Sequence, residues 1–100
     1  MDVVLRPRAE DDLDALYEYI LNKSGDFEAA FSYIWRLRGA CISLSEFSQR
    51  GVPRDDILKG LRILVFERST VIAYRLSKVV EILSIFHGGQ DWYAALRLEQ

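Results

Sequence analysis

The sequence predicts an α+β fold: an N-terminal strand and an antiparallel helical hairpin packed on a mainly antiparallel four-stranded sheet, in the order βααβββ, with a short C-terminal tail. Three observations carry this expectation. Apolar residues recur at three- and four-residue steps through residues 9–44, three β-rich runs lie between residues 61 and 87, and the stretch 48–60 between the two patterns is punctuated by Gly51, Pro53 and Gly60.

Residues 3–6 form a short apolar run bounded by Pro7, consistent with a first strand. Beyond it Ala9, Leu13, Leu16, Tyr17, Ile20 and Leu21 make one face of a helix, and Glu10, Asp11, Asp12, Asp14 and Glu18 fill the other. Pro7 suits a first helical turn and the early acids suit the positive end of the helix dipole. Asn22 to Gly25 end this helix, and Asp26 is placed to cap a second whose stripe reads Phe27, Ala30, Phe31, Ile34, Leu37, Cys41 and Leu44. Trp35 stands off that stripe and is expected to widen the buried face.

The runs 61–67, 70–76 and 79–87 are rich in Val, Ile, Phe and Tyr and are separated by two residues each, the pattern of a meander. The two helices are the elements available to cover one face of the sheet, leaving the other open, with the first strand at an edge. Strict alternation would turn Val79, Glu81, Leu83, Ile85 and His87 one way and Val80, Ile82, Ser84 and Phe86 the other. Both sets are largely apolar, so an interior strand with apolar material on each side is expected. After Gly88-Gly89 the tail has a possible helical turn from Trp92 to Leu98.

A chain of 100 residues suits one domain, 1–100, and its 50% hydrophobic and 28% charged content is that of a folded globule. The net charge of −2 gives no general attraction for nucleic acid, although residues 1–49 sum to −4 (5 basic, 9 acidic) and residues 50–100 to +2 (8 basic, 6 acidic). The single Cys41 has no disulfide partner and no zinc-ligand spacing, which fits a reducing cytoplasm, and no run approaches a membrane span. No metal or cofactor is expected.

The order of elements, with PRAEDDLDALYEYI, KGLRILVFERSTVIAYRL and VVEILSIFHGGQDW, resembles the RelE/ParE toxin superfamily over nearly the whole chain. The resemblance rests on Ala9, Asp12-Leu13, Leu16 and Tyr19-Ile20 in the first helix, Gly60-Leu61-Arg62 before the meander, and residues 71–75 with Ile82, Leu83, Ile85 and His87 in the strands. It implies the toxin component of a type II toxin–antitoxin system, bound and neutralised by a ParD-like antitoxin in a hetero-oligomer. The antitoxin is expected to cover an apolar groove near the hairpin and the last strands.

RelE-like members cut messenger RNA on the ribosome with clustered cations and a general acid or base. ParE-like members lack that cluster and resemble proteins that poison DNA gyrase without catalysis. The sparse basic content here, Lys23, Lys59 and Lys78 with Arg62, Arg68 and Arg75, favours the ParE-like branch and gyrase as the target, with RelE-type endoribonuclease activity as the alternative. The partner-binding candidates are Arg62, Arg68, Tyr74, Arg75, His87 and Trp92. His87 would become catalytic under the nuclease alternative, but it has no companion acid or base at a fixed spacing.

Overall fold

The first helix begins where the sequence places it, because Pro7 needs no intrahelical donor. In the computed structural model, which describes residues 1–98, strand β1 (Val3–Leu5) leads directly into α1 (Pro7–Ser24). Gly25 ends α1 in the left-handed conformation at φ 63°, its N–H bonded to the Leu21 carbonyl. Asp26 caps α2 (Phe27–Ser43) by accepting from the N–H groups of Glu28 and Ala29 at 3.0 and 3.2 Å. The helices run back to back as the predicted hairpin, and Arg38 of α2 holds Glu10 of α1 through two bonds of 3.1 Å.

The α+β class is as predicted, and the sheet has one strand more than expected. Within the 48–60 connection, β2 (Val52–Pro53) pairs antiparallel with β3 (Leu61–Phe66), which continues into β4 (Thr70–Leu76) and β5 (Val80–His87). The strand order is β1-β5-β4-β3-β2, with β1 parallel to β5 and all other pairs antiparallel. A two-residue strand ending in proline leaves too little periodicity to be read from sequence, and proline restricts it to an edge.

Strict alternation along β5 does not hold. Ala73 pairs with Ser84 but Tyr74 pairs with Ile82, so Leu83 is an extra residue in a β-bulge. Val80, Ile82 and Ile85 consequently all pack toward the helices, in a core with Leu13, Leu16, Leu37, Cys41 and Tyr74. Asp12 of α1 supports the distortion by accepting the Ile85 N–H at 2.9 Å. Burial raises the Asp12 carboxyl above its ordinary value, opposed by that N–H and by Arg8.

The second face of the sheet is not left open. Helix α3 (Trp92–Leu98) lies over it, and Leu96 joins Ile57, Leu61, Ile63, Ala73 and Phe86 in a smaller core. This covering explains why β5 is apolar on both faces. The expected tail is a short helix, tied by Arg54, whose guanidinium stands 5.3 Å from the Trp92 ring and 5.5 Å from that of Tyr93.

Candidate functional site

The six predicted partner-binding residues fall into three places. Arg62 and Tyr74 lie together against the loop before β2. The Tyr74 hydroxyl, fully buried, accepts the Gly51 N–H at 2.8 Å and donates to the Ser48 carbonyl at 2.7 Å. Arg62 donates to the carbonyls of Gln49 and Gly51 at 3.0 and 2.7 Å. A Cβ on Gly51 would stand 2.8 Å from Tyr74 Cε1, so only glycine lets the loop lie this close. The Gly-x-Arg motif and the strand tyrosine thus hold this loop against the sheet.

Arg75 follows Tyr74 on β4, at the same end of the sheet, and alternation turns its side chain to the other face. With Arg6 it brackets Glu81, which is almost fully buried, and donates to Glu81 Oε2 at 2.8 Å. The bonds from Arg75 and Arg6 hold the Glu81 carboxyl down at about 2.

Arg68, His87 and Trp92 come together. They line a cleft of about 230 Å³ on the second face, between the β3–β4 turn and the start of α3, with Val65, Val71 and Phe86 beneath. The His87 ring packs 4.7 Å from Tyr19, its Nδ1 is buried with no hydrogen-bond partner among the described residues, and the backbone N–H of His87 donates to Gln90 Oε1 at 2.9 Å. Among the described residues the cleft holds one guanidinium and one imidazole, and no carboxylate lines it. The cations considered for a nuclease are dispersed: Arg62 and Arg75 are committed elsewhere, and Lys23 lies over the Tyr19 ring at 5.8 Å.

A surface that the sequence reading missed runs along α2. Phe27, Phe31, Trp35 and Ile42 are 61%, 55%, 69% and 56% exposed, so Trp35 does not widen the core as expected. Phe27 stacks on Phe31 with centroids 6.2 Å apart, and Phe31 on Trp35 at 6.3 Å. The helix is therefore apolar on two sides. Ala30, Leu37, Cys41 and Leu44 face inward, while Phe27, Phe31 and Trp35, four residues apart, form an outward ladder. A Cβ on Gly39 would meet nothing, so glycine keeps a shallow hollow open between Trp35, Arg38 and Ile42. The signal was present as a second i, i+4, i+8 stripe, but merging it with the first made one broad apolar face.

Both arginines beside the ladder are neutralised. Arg36 makes two bonds to Glu67, at 2.9 and 3.1 Å, and Arg38 is the partner of Glu10. The ladder is thus an apolar strip with satisfied charges at its margins, the composition of an interface centre.

Comparison with known proteins agrees with this architecture. The family described as ParE toxin of type II toxin-antitoxin system, parDE, matches residues 3–92. The candidate toxin Y4kP of Sinorhizobium fredii is 35% identical over 86 residues, covering 85% of each chain. A chain of the solved structure titled "Chromosomal ParDE TA system from P. aeruginosa" superposes with a TM-score of 0.75 at 26% identity, over 87% of this chain and 95% of that one. The chain belongs to the ParE toxin family of type II toxin–antitoxin systems.

Proposed function

We infer that this toxin acts by binding DNA gyrase in the cytoplasm rather than by cutting RNA, and that a ParD-like antitoxin neutralises it by laying an amphipathic segment along α2. The exposed ladder of Phe27, Phe31 and Trp35 carries the antitoxin part of this reading. A monomer gains nothing by keeping three stacked aromatics in water, and a helix-in-groove contact would bury them. The dispersal of Arg62, Arg68 and Arg75 supports a binding mechanism over phosphoryl chemistry, which needs cations converging on one phosphate.

Two assays on one toxin preparation test the target: supercoiling by purified gyrase, and ribosome-dependent cleavage of messenger RNA. Loss of supercoiling with intact message is expected, and cleaved message with unaffected gyrase would establish the nuclease instead. For the antitoxin, Trp35→Ala should weaken binding by about thirtyfold or more, on the scale of about 2 kcal/mol for a truncated aromatic anchor. Unchanged affinity would remove α2 from the interface.

A further inference from the structure

The ten arginines of the chain are not treated alike by the fold. Six are in ion pairs, and Arg50, Arg62 and Arg97 donate to a hydroxyl or a carbonyl. Arg68 alone makes no hydrogen bond, ion pair or ring contact among the described residues. Its backbone is also in an unfavourable region. Glu67 at φ 46° and Arg68 at φ 70° are both left-handed, a conformation that crowds any Cβ. The bidentate contact from Arg36 of α2 to Glu67 holds this turn in place. A strained turn anchored from a helix thus presents one uncommitted cation at the mouth of the cleft.

Below the turn, Val65, Val71 and Phe86 are direct cross-strand neighbours on β3, β4 and β5, and they form an apolar floor walled by Trp92. The adjoining sheet edge is open. β2 covers β3 only at Arg62 and Ile63. The Leu61 carbonyl accepts from the Arg54 N–H at 2.8 Å on that outer side, so the period of two directs the N–H and carbonyl of Val65 outward as well, past the last β2 pairing. Main-chain donors and acceptors, an apolar floor and a free guanidinium therefore adjoin one another.

We propose that an extended acidic peptide segment of a protein partner adds to the β3 edge at Val65. It places one apolar side chain over Val65, Val71 and Phe86 and a carboxylate on Arg68. Strand addition draws affinity from main-chain pairing and specificity from alternate side chains, and a guanidinium fits a carboxylate with two parallel bonds. A nucleic acid would use neither the free strand edge nor a cleft with one cation, because its affinity comes from several phosphates neutralised together. The site is separate from the α2 ladder, since hairpin and cleft lie on opposite faces of the sheet.

A random octapeptide library displayed on phage, panned on the full chain and counter-selected on Arg68→Glu, tests the proposal. The peptides retained should share an Asp or Glu next to a β-branched or aromatic residue. A synthetic copy of the best should bind Arg68→Ala about tenfold more weakly, bind Arg68→Lys with an affinity between those of Arg68→Ala and wild type because lysine keeps the charge and loses the two-bond fit, and slow hydrogen exchange at the Val65 amide. The proposal is overturned if no peptide distinguishes wild type from Arg68→Glu, or if the Arg68-dependent peptides lack an acid. It is equally overturned if single-stranded oligothymidylate binds in their place with the same dependence on Arg68.

Discussion

Replacing Glu81 by Gln preserves the side chain's shape and removes the charge that Arg6 and Arg75 enclose. The carboxyl is held at about 2 against an ordinary 4.5, first by the Arg75 bond and then by the Arg6 bond. At about 1.4 kcal/mol per pH unit that difference corresponds to about 3–4 kcal/mol. The arginine side chains are 50% and 36% exposed, so solvent screening brings the expected contribution nearer to about 2 kcal/mol. Because the folded value lies below the unfolded one, this stability is present above about pH 4.5 and is lost as pH falls through about 2. Urea unfolding at low ionic strength should therefore show Glu81→Gln less stable than wild type by about 2 kcal/mol at neutral pH, with an unchanged urea slope. The gap should close as the wild-type carboxyl protonates, when it becomes a neutral hydrogen-bonding group like the amide. A gap of constant size across the acid range would show that the loss comes from packing, and the charge argument would fail.

Three further outcomes follow from single contacts. Gly51→Ala drives a Cβ to 2.8 Å from the Tyr74 ring and should destabilise by about 1–3 kcal/mol. Tyr74→Phe strands the buried Gly51 N–H at about the same cost, and urea midpoints would measure both. Arg68→Gly relieves one left-handed side chain and should stabilise by about 1 kcal/mol, read as a melting temperature higher by about 4–8 °C, while weakening the acidic peptide about as much as Arg68→Ala does. The Cys41 thiol is buried and pushed up to about 12, so iodoacetamide should label it only after unfolding; labelling of the native protein at a free-thiol rate would contradict its burial.

The elements that could be read from sequence are those whose signal is local. Pro7, the Asp26 cap and the Gly25 stop act within a turn of their own residues, and each appears in the structure where it was expected. The departures arise where the deciding contact is distant. The β5 bulge involves Asp12, 73 residues away from the Ile85 N–H it accepts, and no count of alternating residues along residues 79–87 contains that carboxylate. Arg62 and Arg68 look equivalent in a strand-turn-strand sequence. One is committed to the carbonyls of Gln49 and Gly51, and the other has no partner among the described residues, in a turn that Arg36 secures from α2.

The α2 stripe shows the same limit in a form that bears on function. Periodicity measures how apolar residues are spaced around a helix, and a helix buried on both sides has the same pattern as one buried on one side and exposed on the other. What separates the two is the material opposite each face. Leu37, Cys41 and Leu44 meet α1 and the sheet, whereas among the described residues nothing is set against the outer side of Phe31 and Trp35, and the sheet's other apolar face is already used by α3. A domain of this size has two helices for one sheet face and a seven-residue helix for the other. A third apolar surface on such a chain exceeds what its own elements can bury, and a partner is the available means of covering it. The excess of aromatic residues over internal places to put them is thus a property of the sequence, but it becomes visible only once every internal place has been assigned.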